Sequence, residues 1–354
     1  MRALAFGTYD AEYPRNAQVI SCLRAVGVVV LERNEPVWRR HNWAIGPRDL
    51  VRLALAERRL ARDPAPDADV ILVGYPGHFD LRAARQVAAG RPIVFNPLVS
   101  LYDTIVGDRA RLRPGDPRAR LLRRLDRRAF RSADLVVADT EAHATFFREA
   151  FDLDPGSVAV AYVGAEDRLF SPGTPVPDPF HALFVGKLVP LHGLETILAA
   201  ARIASDIRFT IVGEGQLTGL LGSLPPNVEH RSWIPYEQLP DLYRRAGCAL
   251  GIFGKGDKAA RVIPNKAFQA IACGRPLVTA DTRAARELLT GGVDAILVPP
   301  GDPEALATAV RGLADDANLR ERIGRAGRDT YLAHASERVL GETWRELLER
   351  VVGR

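Results

Sequence analysis

The amino-acid sequence predicts an α/β chain of two doubly wound domains, and three observations predict it. The first is length: 354 residues at 47% apolar composition exceed what one hydrophobic core organises and fit two domains of about 150–200 residues. The second is a series of short, continuously apolar runs alternating with helix-period stretches, the pattern of parallel strands covered on both faces. The third is that the series runs twice, on either side of RLFSPGTPVPDPF (168–180), whose prolines and lack of periodicity suit a connector.

The first series comprises RALAF (2–6), GVVVL (27–31), DVILVG (69–74), RPIVF (91–95), DLVVAD (134–139) and SVAVAYV (157–163). The second comprises HALFVG (181–186), IRFTIVG (207–213), CALGIF (248–253), RPLVTA (275–280) and AILVPP (295–300). SERVLGETWRELLER (336–350) reads as an amphipathic helix that crosses back to brace the N-terminal domain. The expected domains are therefore 1–168, with the helix 336–354 returning to it, and 178–335.

Several function classes lose support from composition. The first residues, MRALAFGTYDAEYPR, lack a long apolar segment and a small-residue cleavage site, and no later apolar run approaches the roughly 18 residues of a membrane span. A cytoplasmic location is the expectation. Cys22, Cys248 and Cys273 are odd in number, far apart and set among apolar neighbours, so they read as small core residues, neither a disulfide framework nor a zinc site. The Asp152 and Asp154 pair in FDLD precedes Pro155 in a turn, and two carboxylates alone are assigned no metal. Gly213-Glu214-Gly215 lacks the third glycine and acidic ribose anchor of a dinucleotide fingerprint, which lowers a dehydrogenase reading.

The formal net charge is +5, but it is unevenly spread: DRARLRPGDPRARLLRRLDRRAFR (108–131) holds ten arginines. Leu121, Leu122, Leu125, Ala129 and Phe130 recur at helical spacing, leaving Arg123, Arg124, Arg127, Arg128 and Arg131 on the other side. Two readings stand, a solvated helix face or a patch that meets anionic lipid head groups or an anionic acceptor. Nucleic acid is disfavoured, because no aromatics interleave with the arginines.

Lysine is scarce. Of 48 basic residues only Lys187, Lys255, Lys258 and Lys266 are lysines, and three of them fall within twelve positions. In open parallel sheets ligands bind beyond the carboxyl ends of strands, where helix N-termini present N–H groups. FVGKLVPLHGLETILAA (184–200) is a strand, a glycine turn and a helix, with Gly186 allowing close backbone approach and Lys187 beside it. His192 adds a donor or is a solvated loop histidine. After CALGIF comes GKGDKAARV, and then Pro264, Asn265 and Lys266 open a helix. That helix start, with Lys255, Lys258, Arg261 and Lys266, suits a diphosphate. Lysine fits there because its ammonium is a compact, mobile point charge, whereas arginine is a flat fork.

FVGKLVPLHGLETILAAA, IVGEGQ and NKAFQAIACGRPLVTADTRAARELL together resemble the donor half of the retaining GT-B glycosyltransferases, family 4-like, of glycosyl transferases group 1. The resemblance covers the C-terminal half in order and at appropriate spacing. It implies two Rossmann-like domains facing across a cleft, the first binding acceptor and the second a nucleotide sugar. It implies Gly186 and Lys187 on the donor diphosphate and His192 where many members have a second lysine. Gly213 and Glu214 then lie near the nucleotide, the backbone of Trp233 and Ile234 beside the base, and Gln269 where the family has a ribose-binding glutamate. Arg261 replaces the family's other glutamate, eight positions earlier. The chain therefore resembles a variant branch in which the Pro264-Asn265-Lys266 helix start and its cations hold the phosphates.

In the N-terminal domain, Gly7, Thr8, Tyr9, Tyr13, Arg15 and Asn16 form one loop able to bind hydroxyls or a phosphate, or else an ordinary turn. Asn96 falls where family members often place a histidine near the reacting sugar. His78 ends the neighbouring strand and is the better-placed imidazole, for a catalytic or acceptor role or a structural turn, with Tyr102 and Asp103 following in VSLYDT. The expected function is metal-independent, retaining transfer of a sugar from a nucleoside-diphosphate donor to a hydroxyl-bearing glycan, lipid-linked or small-molecule acceptor, in glycan biosynthesis. Lys187, Lys266, His78 and Asn96 are the candidate catalytic residues. No cofactor, metal or nucleic acid is expected; peripheral contact with the inner face of an anionic membrane is one of the two readings of 108–131. The alternatives are a sugar-nucleotide epimerase or hydrolase, and a non-catalytic sugar-nucleotide sensor or partner subunit.

Overall fold

Residues 1–38, 47–173 and 179–353 are described by a computed structural model of the chain. Part of the expected connector (174–178), the expected start of the second domain at 178, and Arg354 lie outside the described residues. The chain divides into two units. One comprises Met1–Val106, Ala110–Tyr162 and Glu337–Arg354, the other Gly107–Arg109 and Val163–Ser336.

The first unit is built on a parallel sheet of β1 (Arg2–Gly7), β2 (Val29–Asn34), β3 (Val70–Val73), β4 (Ile93–Phe95), β5 (Leu135–Ala138) and β6 (Val158–Val160), in the order β2-β1-β3-β4-β5-β6. β3, β4 and β5 are buried at every position, which is why their sequences are unbroken apolar runs. The crossovers are α1 (Pro14–Ala25), α2 (Pro47–Leu60), α3 (Leu81–Val87), α4 (Pro117–Arg131) and α5 (Glu141–Phe151). Phe6, Ile71 and Phe95 pack with Leu81, Phe130 and Phe147 on one face of the sheet. The strand order reverses at β1, which pairs with both β2 and β3, so the loops after β1 and β3 open at the switch point.

The second unit repeats the plan with β7 (His181–Val185), β8 (Arg208–Val212), β9 (Val228–Arg231), β10 (Cys248–Leu250), β11 (Leu277–Ala280) and β12 (Ile296–Val298), ordered β12-β11-β10-β7-β8-β9. Its helices are α6 (Leu194–Ile203), α7 (Leu239–Arg245), α8 (Asn265–Ala272), α9 (Ala285–Leu288), α10 (Pro303–Asp315) and α11 (Ala317–His334). β9, with the sequence VEHR, is absent from the expected strands. It is an edge strand with only Val228 buried, so it carries no apolar run to betray it.

The final element, α12 (Glu337–Val352), packs on α1 in the first unit. A Cβ on Gly341 would stand 2.4 Å from the Cys22 carbonyl oxygen, so the two helices touch backbone to backbone there. Around that contact Leu340, Trp344, Leu348 and Val351 join Val19 and Leu23 in the core on the sheet's other face. Each such side chain contributes about 1.5–3 kcal/mol by leaving water.

The change of unit falls at Tyr162–Val163, ahead of the boundary at 168 expected from sequence. Tyr331 on α11 explains the difference: its hydroxyl lies 2.5 Å from Asp167 Oδ1 and 3.0 Å from the Ala165 carbonyl oxygen, tying 163–168 to the second unit.

Candidate functional site

In the second unit, two glycine turns interlock at the ends of β7 and β8. Gly186 has φ 151° and Gly213 φ 130°, conformations that L side chains rarely adopt. A Cβ on Gly213 would lie 2.1 Å from the Gly186 carbonyl oxygen, and one on Gly186 would lie 2.7 Å from Lys266 Nζ. Backbone bonds lock the pair: Gly186 N donates to Val212 O at 2.9 Å and Leu188 N to Glu214 O at 3.0 Å.

Lys266 enters this notch from the first turn of α8. It is 6% exposed, its ammonium stands 3.9 Å from the centroid of the Phe184 ring, and it has no hydrogen-bond partner among the described residues. Burial holds its pKa well below the ordinary lysine value. The His192 ring lies against Phe184, and its Nδ1 bonds to the Lys187 carbonyl oxygen, so Nδ1 carries the proton of a neutral ring. Desolvation, and then the charge of Lys266, push the pKa of His192 well down. The N-cap position of α8 is Pro264, which supplies no capping side chain. A buried cation without a partner, at a helix N-terminus and beside a glycine that leaves room, is a site for an anion.

The other residues expected here divide. Lys258 precedes and Arg261 ends the short turn Ala259–Arg261, and both are buried, while Pro264 and Asn265 are half-buried. Lys187 and Glu214 are exposed, as is Trp233 at 61%, and Ile234 is half-buried. Lys255 leans elsewhere, its stem so close to Gly301 that a Cβ there would meet Lys255 Cε at 1.9 Å. Gln269, one turn beyond Lys266 on α8, is engaged inside the protein: its Oε1 accepts from Tyr243 Oη at 3.2 Å, and its Nε2 lies 3.5 Å from Tyr236 Oη. Phe170 packs against both tyrosines. Burial, and then the Glu166 carboxylate, raise the pKa of Tyr236. Sequence reasoning missed this Glu166–Tyr236–Tyr243 group, and no local signal marks it, because its members are 70 or more positions from Glu166 and meet only through the fold.

In the first unit several of the expected residues are held by bonds within the protein. Arg15 is fully buried: Nη1 donates to Tyr162 O at 2.6 Å, Nη2 to Ala161 O at 3.0 Å, and both Nε and Nη2 to Asn96 Oδ1 at 3.2 Å, while the guanidinium sits 5.5 Å from the centroid of Trp344. Arg15 and the Asn96 side-chain oxygen therefore brace the sheet's end, with Arg15 against Trp344 of α12. Asn16 is likewise engaged, accepting from Tyr75 N and donating to Asp10 O and Tyr75 O. Tyr9 is 1% exposed and donates to Glu32. His78 is enclosed between Phe95 and Phe130, with Nδ1 on Pro76 O and Nε2 3.5 Å from Asp126 Oδ1. Burial lowers its pKa, so it packs as a neutral ring. Asp126 also receives Ser100 Oγ and the Leu101 and Tyr102 N–H groups, and Asp103 N bonds Ser100 Oγ, so that loop is held by its own polar groups.

Gly7 and Thr8 sit on Asp80, which accepts from Thr8 N and Thr8 Oγ1, both at 2.8 Å. Glu57 on α2 meets the same carboxylate. Burial, then a hydrogen bond to Asp80 and its charge, raise the Glu57 pKa far above the carboxylate range, so Glu57 keeps its proton near neutral pH. The Tyr13 ring lies tilted against Tyr75, with centroids 4.7 Å apart, and, like Tyr102, stays half-exposed. Asp154 caps Gly156 N, and Asp152 ends α5 at φ 56°. Among the described residues no group of three or more His, Cys, Asp or Glu side chains is placed to hold a metal ion.

Residues 179–316, which contain both glycine turns and α8, match the family described as Glycosyl transferases group 1. They form a glycosyl transferases group 1 domain. A lipopolysaccharide core biosynthesis glycosyltransferase, LpsD, of Rhizobium meliloti is 26% identical to the chain over 50% of its length and 51% of the relative's. The chain thus spans about half the length of this relative. Among solved structures, sucrose-phosphate synthase of Thermosynechococcus elongatus superposes with a TM-score of 0.74 at 17% identity, covering 99% of both chains. Anabaena Alr3699/HepE in complex with UDP-glucose superposes with a TM-score of 0.69 at 16% identity, again covering 99% of both. These likenesses show the GT-B fold for the chain, with the group 1 domain as its second unit.

Proposed function

We propose that the chain is a glycosyltransferase that moves a sugar from a nucleoside-diphosphate donor to a hydroxyl-bearing acceptor, with retained anomeric configuration and without a metal. The observation that carries the reading is Lys266, a buried ammonium with no hydrogen-bond partner among the described residues, standing against the Gly186 notch. A donor diphosphate supplies the anion that this group lacks. The match of residues 179–316 to glycosyl transferases group 1 and the UDP-glucose held by the Anabaena neighbour support the same class of donor.

As the sugar–phosphate bond lengthens, negative charge grows on the departing diphosphate. Lys266 and the first-turn N–H groups of α8 are already oriented, so they stabilise that charge without reorganising, and exposed Lys187 approaches from solvent. In the proposed retaining transfer the acceptor oxygen bonds the anomeric carbon while its proton passes to the leaving phosphate oxygen. Tyr13 and Tyr102, half-exposed in the first unit, are the residues proposed to touch the acceptor. Three buried cysteines that form no disulfide among the described residues fit a reducing compartment, and we place the reaction in the cytoplasm.

The test is turnover with a panel of nucleotide sugars and hydroxyl acceptors. Removing one preorganised donor costs about 2.7–4 kcal/mol of barrier, so Lys187→Ala and Lys266→Ala are expected to lose roughly 100–1,000-fold in kcat with the fold intact. Unchanged rates in both variants refute the mechanism. The enclosure of Gln269 by Tyr243 and the cation at Arg261 favour one other reading, a sugar-nucleotide sensor. Tight nucleotide binding without turnover across the panel decides for it.

A further inference from the structure

The arginine-rich helix α4 lies in the first unit, outside every residue used above for the donor. Its inner side is settled: Ala119, Asp126, Ala129 and Phe130 are buried, and Asp126, the helix's one carboxylate, turns inward to Ser100 and the Leu101 and Tyr102 N–H groups. Its outer side carries Arg120, Arg123, Arg124, Arg127 and Arg128, all exposed, and among the described residues none of these pairs with a carboxylate. Arginines repeat at i,i+4 from 120 to 124 to 128 and from 123 to 127 to 131, so the helix repels itself along its length. A helix kept merely in solvent interleaves acids with bases, and this face has no acid.

The second observation is Leu121. It is 55% exposed on the same outer face, one turn ahead of Arg124 and half-buried Leu125. Guanidinium groups bind phosphates bidentately, and a leucine standing among them finds an apolar partner only where phosphates border hydrocarbon. A nucleic-acid backbone offers the phosphates without the hydrocarbon. We propose that the outer face of α4 docks the first unit on a bilayer surface bearing anionic phospholipids, with the arginines at the head-group phosphates and Leu121 at the acyl boundary.

The experiment is co-sedimentation of the full chain with vesicles of phosphatidylcholine alone and of phosphatidylcholine mixed with phosphatidylglycerol. Binding is expected to the mixed vesicles only, weakening with salt. Each near-surface arginine is worth about fivefold in affinity, so the triple variant Arg124→Gln, Arg127→Gln, Arg128→Gln is expected to lose roughly a hundredfold. Its melting temperature should hold or rise, since the substitutions relieve repulsion. Leu121→Ala, at unchanged charge, should weaken vesicle binding several-fold. The proposal is overturned if the parent chain ignores the mixed vesicles, if the triple variant or Leu121→Ala binds them as the parent does, or if the parent prefers duplex RNA to the vesicles at equal phosphate concentration.

Discussion

Replacing Lys266 by methionine keeps a stem of similar length over the Phe184 ring and removes the ammonium. In the ligand-free protein that ammonium is enclosed without a hydrogen-bond partner among the described residues. Such a group costs about 1–3 kcal/mol, of which the aromatic face at 3.9 Å offsets about 0.5–2 kcal/mol. The variant should therefore be the more stable by about 1 kcal/mol near neutral pH, or about 2–4 °C for a unit of this size. The pH dependence has a definite sign. Lys266 has a lower pKa folded than unfolded, so the unfolded chain binds more protons between the depressed value and the ordinary one near ~10.4, and the parent gains stability as pH rises through that window. The methionine variant lacks this slope, and its advantage should shrink as pH climbs toward the ordinary lysine value. Ligand reverses the ranking. A nucleoside diphosphate at a hundred times its Kd stabilises the parent by about 2.7 kcal/mol, and the variant should lose most of that gain. Differential scanning calorimetry across pH, with and without UDP, GDP and ADP, reads all three effects. A variant that melts no higher than the parent at neutral pH, or that keeps the full ligand shift, refutes the reasoning.

Gly213→Ala presses a Cβ to 2.1 Å from a backbone oxygen that cannot move aside, at φ 130°. A loss of about 3 kcal/mol, or roughly 6–12 °C in the melting of the second unit, is expected, and an unchanged melt would show that the two glycine turns do not interlock. Glu57→Gln keeps a hydrogen-bond donor for Asp80 without a titrating proton. Because Glu57 holds its proton more tightly folded than unfolded, the stability it lends is complete below its unfolded pKa and drains away as pH rises toward the folded one. The first unit's melting temperature should therefore fall between pH 5 and 9 in the parent and stay flatter in the variant, and parallel profiles would count against a proton held on Glu57.

The two sheets were legible because parallel strands buried on both faces must be written as apolar runs; β3, β5, β8 and β11 all read this way. β9 escaped because an edge strand has no such obligation. Gly186 and Lys266 stood out since a glycine after a strand and a lysine opening a helix have positional meaning before any fold is known. Arg15, Asn16, His78 and Asn96 could not be placed from sequence for the opposite reason. A polar side chain at a strand end can turn toward a ligand or inward to hold the chain's own carbonyls, and only the packing of Trp344, Phe130 and the Ala161–Tyr162 backbone decides between them. Gln269 was recognisable by position, but its tyrosine partners come from another helix and another turn, which spacing does not connect.

The backbone contact between Gly341 and Cys22 bears on how the molecule is made. During synthesis the segment 163–336 leaves the ribosome before residues 337–352 do, so the second unit is free to complete its core while the first still shows water the apolar side of α1. A premature stop codon anywhere in α12 would therefore spare the half that carries Lys266 and expose the other to chaperones and proteases.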